Sequence, residues 1–139
     1  ADSNIMVVTV SSNASPGTQA TTQLTTFVNQ TAGAIVTVMP DTLTGTVPSV
    51  LTYTLSLTNT GNDVDDFLIE TFNPDGWTVV TTPATSVTSL GSGATQLITV
   101  EISITLGTPV GVSSTTVITL TSAYDAAVIL TPQVISWTQ

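Results

Sequence analysis

Oxygen-bearing side chains are concentrated between residues 62 and 66, where the sequence is Asn-Asp-Val-Asp-Asp. Ca²⁺ binds several oxygen ligands in a flexible geometry, so an acidic loop of this kind could hold it. The spacing does not follow the usual calcium-loop pattern, and polar turn residues also form hydrogen bonds with their own backbone. A solvated turn is therefore the favoured interpretation, and a Ca²⁺ site formed by Asp63, Asp65 and Asp66 is the alternative.

The charge composition excludes several functions. The 139 residues include no lysine, arginine, histidine or cysteine, and nine carboxylates give a net charge of −9. Nucleic acid binding is close to excluded because it needs basic side chains to displace counterions, and anionic membrane surfaces are disfavoured for the same reason. A serine or threonine nucleophile would lack an ordinary base, and a carboxylate pair such as Asp66 and Glu70 arises easily by chance. We therefore predict no enzymatic activity and no required cofactor.

The elements that position these residues are predicted to be strands. Between Val50 and Thr60, apolar Leu51, Tyr53, Leu55 and Leu57 alternate with polar residues, which is the period of a half-buried strand. Similar segments follow, separated by turn residues about every 8 to 12 positions. This pattern predicts an all-β fold, an Ig-like antiparallel β-sandwich of about seven strands over 33–139. Residues 1–32 are predicted to be an N-terminal extension.

Two segments are less regular. The threonine-rich stretch from Thr18 to Thr31 has few apolar side chains, so it is either a ragged strand or an ordered linker. The last predicted strand, Ala126 to Trp137, contains Pro132, which marks a bulge or an edge position. The wholly apolar runs Ile5 to Val8 and Ala126 to Leu130 are too short to span a membrane.

The N-terminal extension contains a strand of unusual character. Ile5, Met6, Val7, Val8 and Val10 place apolar side chains on both faces, so this strand is expected to be covered on both sides. It is our candidate donor strand, completing the sheet of another copy through backbone hydrogen bonds. The alternative is that it pairs within its own sandwich as an eighth strand. The chain begins at Ala1-Asp2 without methionine, which we interpret as a terminus left by a signal peptidase, with a trimmed chain as the alternative.

Carbohydrate enters the predictions in two ways. The sequences Asn13-Ala-Ser and Asn29-Gln-Thr fit the N-glycosylation pattern, although such triplets also occur by chance in a chain with 31 threonines. The aromatic side chains that could stack on sugar rings are Trp77, Trp137, Tyr53 and Tyr124. Of these, Tyr53 is expected in the core and Trp77 at the end of the sandwich.

Several motifs together resemble a known family. They are Leu51-Thr-Tyr-Thr-Leu-Ser-Leu-Thr-Asn-Thr-Gly61, Asn73-Pro-Asp-Gly-Trp77, Leu90-Gly-Ser-Gly93, Thr108-Pro-Val-Gly111 and Thr119-Leu-Thr-Ser-Ala-Tyr-Asp125. This order resembles the prokaryotic Ig-like domain that follows alpha-galactosidase catalytic domains and occurs in archaeal and bacterial surface proteins. The resemblance covers about 33–137 and implies the fold, but a shared fold does not fix the function.

A surface Ig-like domain with an additional apolar strand is similar to subunits of extracellular filaments built by donor-strand complementation. We therefore predict a structural subunit of a secreted extracellular filament or pilus, located at the cell surface, whose partners are other copies of itself and possible glycans. A carbohydrate- or cell-wall-binding module is the alternative, and a surface-layer or virion coat component is a third possibility.

Overall fold

The structure, a computed structural model, describes residues 3–139. Ala1 and Asp2, interpreted above as a processed terminus, lie outside the described residues. The chain divides into two compact units between Gln30 and Thr31, two residues before the division predicted from the sequence. Within the described residues, every assigned element of regular secondary structure is a β-strand.

The first unit is a β-hairpin. Strand β1 (Ser3–Ser11) pairs antiparallel with β2 (Gln19–Phe27) through nine consecutive residue pairs. The backbone N–H of Thr18 donates to the carbonyl of Ser15 at 2.8 Å and closes the connecting turn. The threonine-rich stretch that the sequence left open is thus mostly a regular strand. Both strands are exposed along their whole length, so no apolar alternation marks β2 in the sequence.

The second unit is a sandwich of two sheets. Its strands are β3 (Ala34–Met39), β4 (Thr42–Gly45), β5 (Ser49–Asn59), β6 (Asp65–Phe72), β7 (Thr78–Thr82), β8 (Ser86–Leu90), β9 (Thr95–Ile104), β10 (Ser113–Ser122), β11 (Ile129–Leu130) and β12 (Gln133–Thr138). One sheet has the order β3-β5-β9-β7. The other has the order β4-β12-β10-β6-β8, with β11 also paired to β10. The predicted all-β, Ig-like sandwich is confirmed.

The number of strands differs from the prediction of about seven. Within the described residues the sandwich has ten strands, partly because the last predicted strand is divided. β11 ends at Leu130 and β12 begins at Gln133, and Pro132 between them cannot donate a backbone hydrogen bond to the sheet. Both segments nevertheless pair with β10.

The core forms because the predicted alternation places every second side chain between the sheets. The two central strands of the smaller sheet, β5 and β9, pair over ten residues and supply half of the buried apolar side chains. The fully or almost fully buried members of the core are Leu51, Tyr53, Leu55, Leu57, Phe67, Ile69, Trp77, Val87, Leu90, Ile98, Val100, Ile102, Ile104, Ile118, Leu120 and Val134. The outer face of the same sheet is mostly threonine and serine.

Candidate functional site

The acidic turn is organised by the buried Asp65. Its carboxylate accepts hydrogen bonds from the hydroxyl of Ser122 at 2.5 Å, from the backbone N–H of Asp66 at 2.8 Å and from that of Tyr124 at 3.2 Å. These donors belong to β6 itself and to the end of β10, so the carboxylate connects two neighbouring strands. The side chain is 4% exposed, and its oxygens are directed to protein donors.

The other two predicted ligands have different surroundings. Asp66 follows Asp65 on the strand and therefore points to the opposite face, where its carboxylate accepts the backbone N–H of Ser89 at 2.6 Å. Asp63 accepts the N–H of Val64 at 2.8 Å, and this hydrogen bond holds the pKa of its carboxyl below the ordinary value. No group of three acidic side chains in residues 3–139 is arranged to hold a metal ion. The structure thus does not bring Asp63, Asp65 and Asp66 together.

Asn59 holds the turn that precedes these carboxylates. Its side-chain amide, fully buried, donates to the carbonyls of Asp63 and Leu90 at 2.8 Å each, and its side-chain oxygen accepts the N–H of Gly61 at 2.8 Å. A Cβ atom on Gly61 would lie 2.5 Å from the carbonyl oxygen of Thr31, so only glycine fits there. Asparagine and glycine are typical turn residues, so the sequence alone does not show that Asn59 is a core residue.

The aromatic side chains do not form a common platform. Tyr53 is 0% exposed, which confirms the core position predicted for it, and Trp77, which was expected at the end of the sandwich, is 8% exposed and belongs to the core. Trp137 lies on the outer face of β12 at 41% exposed, and Tyr124 lies in the loop after β10 at 54% exposed. Two of the four aromatic side chains are therefore buried and two are exposed, so the four do not form one sugar-binding surface.

Tyr53 crosses the core to reach the opposite sheet. Its hydroxyl lies 2.8 Å from the carbonyl oxygen of Ile135, to which it donates, and 2.8 Å from the hydroxyl of Ser136. Burial raises the pKa of this phenol, and the hydrogen bond from Ser136 opposes the rise. Tyr53 thereby ties β5 to β12 across the sandwich.

Replacing Tyr53 with phenylalanine should lower the free energy of unfolding by about 1–2 kcal/mol, because buried partners on β12 lose their hydrogen bonds. Since the folded-state pKa is raised, the stability contributed by the neutral phenol is fully present below the unfolded pKa near 10 and is lost as the pH rises through the folded value. Urea unfolding from pH 7 to pH 11.5 should therefore show a shallower alkaline loss of stability in Tyr53→Phe than in the natural chain. If the two chains lost stability equally between pH 7 and pH 11.5, the raised pKa of Tyr53 would be contradicted.

The hairpin presents apolar side chains on both of its faces. Residues that face each other across an antiparallel pair lie on the same side of the sheet, so Met6 and Leu24 share one face with Val8 and Val10. The opposite face carries Ile5 and Val7 from β1. On that face β2 supplies Gln19, Thr21, Gln23, Thr25 and Phe27. The candidate donor residues Ile5, Met6, Val7, Val8 and Val10 are all exposed, from 36% at Val8 to 65% at Val10.

One side of the sandwich is incompletely closed. The side chains of Ala34, Val36 and Val38 alternate inward from β3 and pack against the core, yet each remains partly exposed. Leu43 of β4 and Leu130 of β11 are also only partly buried. Because β11 lies against β3 and β4 lies against β5, these side chains line a common side of the sandwich. We call it the open side, bounded by β3 on one sheet and by β4 and β11 on the other.

The opposite side of the sandwich contains a shallow cleft of about 420 Å³. Its lining includes Thr82, Ser86, Thr88 and Gln96, which offer hydroxyl and amide groups, and the apolar Leu97. Among residues 3–139, no titratable side chain and no aromatic ring lines this cleft. The cleft thus lacks the stacking surface expected of a sugar site.

The two predicted glycosylation sites lie in the first unit. Asn13 is exposed in the turn between β1 and β2, and Asn29 is exposed two residues after β2 ends. Both positions are on the surface, as the N-glycosylation pattern requires, and occupancy stays a prediction. Nothing helical in residues 3–139 has the length and hydropathy needed for a membrane crossing.

Comparison with known proteins gives likenesses to solved structures and a match to a family. The crystal structure of domains 4 and 5 of the S-layer protein SbsC resembles the chain with a TM-score of 0.44 and 16% identity, over 99% of this chain and 76% of that chain. No curated protein matches the chain. The model of the NPCBM-associated family, described as the NEW3 domain of alpha-galactosidase, matches residues 49–123, from β5 through β10. This match confirms the predicted Ig-like surface domain, and it covers more than half of the sequence, so the chain belongs to the NPCBM-associated NEW3 domain family.

Proposed function

We propose that the chain is a structural subunit of an extracellular filament in which the hairpin of one copy completes the sandwich of the next. The observation that carries this proposal is the hairpin itself. Two nine-residue strands expose apolar side chains on both faces, and a lone two-stranded sheet is marginally stable in water. Fully burying one side chain such as Val8 or Val10 contributes about 1.5–3 kcal/mol, so the hairpin gains stability when another surface covers it.

The distribution of charge favours a second copy as the covering partner. Every copy carries a net charge of −9 with no basic side chain, so two copies repel each other wherever their carboxylates approach. Residues 3–40 contain no charged side chain at all. Contact through this region therefore brings two copies together with the least repulsion. The remaining repulsion is screened by salt and by divalent cations, which should promote assembly.

The geometry of such a contact leads to a fibre. The hairpin and the sandwich are different surfaces, so a contact between the hairpin of one copy and the sandwich of another is heterologous. After one such contact, the donor copy still has a free acceptor and the accepting copy still has a free hairpin. A heterologous contact that does not close into a ring propagates without limit, which suits a filament at the cell surface.

Negative-stain electron microscopy of the native protein at neutral pH tests the proposal, and uniform thin fibres are expected. Deleting residues 1–12 removes β1 and should abolish the fibres, while the sandwich stays folded, with a melting temperature near that of the full chain measured at a concentration too low for fibres to form. The undeleted chain at the same concentration and ionic strength is the control. Fibres that form unchanged after the deletion would disprove the role of β1.

Monodisperse particles of the full chain would instead favour the alternative, a carbohydrate- or cell-wall-binding module. The feature that supports this alternative is the exposed ring of Trp137 on the outer face of β12, because aromatic rings can stack on sugars. A binding module does not need β1. Retention of the chain on cell-wall polysaccharide after deletion of residues 1–12 would therefore separate the two functions.

A further inference from the structure

The edge strands of the sandwich differ in their capacity to accept another strand. The edge strands of the smaller sheet are β3 and β7, and those of the larger sheet are β4 and β8. Backbone groups at an edge are free to pair with an additional strand unless the edge is short, bent or already bonded. The partner in the proposed filament must use one of these edges, so their geometry identifies the acceptor.

Two edges are poor acceptors because of their backbone. On β8, Ser89 has a φ of 54°, the register with β6 shifts, and the N–H of Ser89 is bonded to the carboxylate of Asp66. Strand β4 has four residues, which makes it a short edge. Its last residue, Gly45, is packed so tightly that a Cβ atom there would lie 2.5 Å from the hydroxyl oxygen of Ser49. Neither edge offers a long, regular row of free backbone groups.

The remaining two edges differ in what an added strand would cover. On β7, Val79 is the apolar side chain that turns inward, while the next inward residue, Thr81, is buried and bonded to the carbonyl of Ala84. By contrast, β3 pairs with β5 over six residues without a register shift. Its three inward side chains, Ala34, Val36 and Val38, are apolar and partly exposed along the open side. An added strand beside β3 would complete their burial.

We propose that β3 is the acceptor edge, and that β1 of a second copy pairs with it and closes the open side of the sandwich. This inference rests on the proposed filament function and deepens it by naming the surface on the neighbouring copy. β1 has nine residues against six on β3, and β2 occupies one edge of β1, which leaves the other edge for β3. The four-stranded sheet becomes six-stranded, in the order β2-β1-β3-β5-β9-β7.

The side-chain pattern of the hairpin fixes which face turns inward. The face with Met6, Val8, Val10 and Leu24 is the more apolar of the two, so it continues the inward surface formed by Val36 and Val38 of β3. On the opposite face, β2 carries mostly threonine and glutamine. That face continues the threonine-rich outer surface of the sheet, where β5 presents Thr52, Thr54, Ser56 and Thr58.

Engineered cysteines test this arrangement cleanly, because the natural chain has none. Thr37 lies on the outer face of β3, and Ile5, Val7 and Thr9 lie on the face of β1 assigned outward. Thr37→Cys is combined in turn with Ile5→Cys, Val7→Cys and Thr9→Cys, so that three registers between β1 and β3 are sampled. At least one pair should give a disulfide-linked ladder on a non-reducing gel of assembled fibres, since directly paired residues lie within disulfide range.

Two matched controls accompany the test. Thr82→Cys places the thiol on the outer face of β7, the other edge of the same sheet, and should give no ladder with any of the three donors. Val8→Cys with Thr37→Cys places the two thiols on opposite faces and should also give none. Each variant is first checked by its melting temperature, which should match that of the natural chain.

The outcomes separate the inference from the proposed function. Fibres that form with a Thr37 ladder support both. Fibres that form with a Thr82 ladder, with a Val8–Thr37 ladder or with no ladder overturn the assignment of β3 and its face while leaving the filament intact. A disulfide within single chains would show that the hairpin fills its own acceptor edge, which also overturns the inference. The absence of fibres in the natural chain would overturn the proposed function itself.

Discussion

Replacing Asn59 with alanine is expected to lower the free energy of unfolding of the sandwich by about 3–5 kcal/mol, one of the largest effects available in this chain. The side chain is completely buried and satisfies three backbone groups. Alanine leaves the carbonyls of Asp63 and Leu90 and the N–H of Gly61 without their partner. Each buried group that loses its hydrogen bond costs about 1–3 kcal/mol.

The effect of Asn59→Ala extends to the turn that follows. Without the side chain, the segment from Gly61 to Asp63 loses its connection to Leu90 at the end of β8. Asp65 comes directly after this segment, and its carboxylate connects β6 with Ser122 at the end of β10. We therefore expect loosening at the end of the sandwich where β5, β6 and β8 meet, detectable as faster amide hydrogen exchange there.

Urea denaturation measures the loss of unfolding free energy in Asn59→Ala. A fall of roughly 10–20 °C in the melting temperature should accompany that loss. Thr58→Ala is the matched control, because Thr58 is the preceding residue on β5 and its hydroxyl makes an exposed hydrogen bond to Thr95 at 2.7 Å. That variant should change the stability by less than about 1 kcal/mol. Equal effects of the two substitutions would show that Asn59 does not hold the turn.

The difference between Thr58 and Asn59 illustrates what the sequence could predict. Alternation along β5 shows which side chains enter the core, and Leu51, Tyr53, Leu55 and Leu57 are buried as expected. The same alternation places Asn59 inward, but the residue type indicated a turn. A buried amide is recognised only when its partners are known, and Leu90 is 31 residues away along the chain.

The parts that could not be predicted depend on distant contacts or lack a local signal. β2 has no apolar alternation because neither of its faces is buried. A metal site near Asp65 stayed open as the alternative to a solvated turn, because the sequence does not show that Ser122 and the N–H of Tyr124 already bond to that carboxylate. The open side depends on how β3, β4 and β11 are placed across two sheets, which no local pattern encodes.

Replacing Val8 with aspartate is expected to raise the critical concentration for filament assembly more than 100-fold, which corresponds to about 2.7 kcal/mol per contact. Val8 is the least exposed of the candidate donor residues and lies in the middle of β1. Desolvating a carboxylate costs several kcal/mol unless a basic partner compensates it, and no copy of the chain contains such a partner. Sedimentation of assembled material over a series of protein concentrations measures the change.

Ser15→Asp provides the matched control, because it adds the same charge to the exposed turn between β1 and β2. It should shift the critical concentration by less than about threefold, as expected for a solvated charge under moderate screening. Below the critical concentration, both variants should leave the melting temperature of the sandwich unchanged, since the hairpin is a separate compact unit. A loss of assembly in Ser15→Asp equal to that in Val8→Asp would mean that net charge, not burial of β1, limits assembly.

Val8→Asn completes the series, because asparagine has nearly the shape of aspartate without its charge. If β1 is buried on assembly, asparagine loses the apolar contribution of valine and must bury an amide, which costs about 1–3 kcal/mol. Aspartate adds the desolvation of a full charge to that loss, so the order of assembly should be valine first, asparagine second and aspartate last. If β1 instead stayed in water, as it does in the isolated hairpin, the three variants would assemble alike, because a solvated strand is insensitive to the polarity of one exposed side chain.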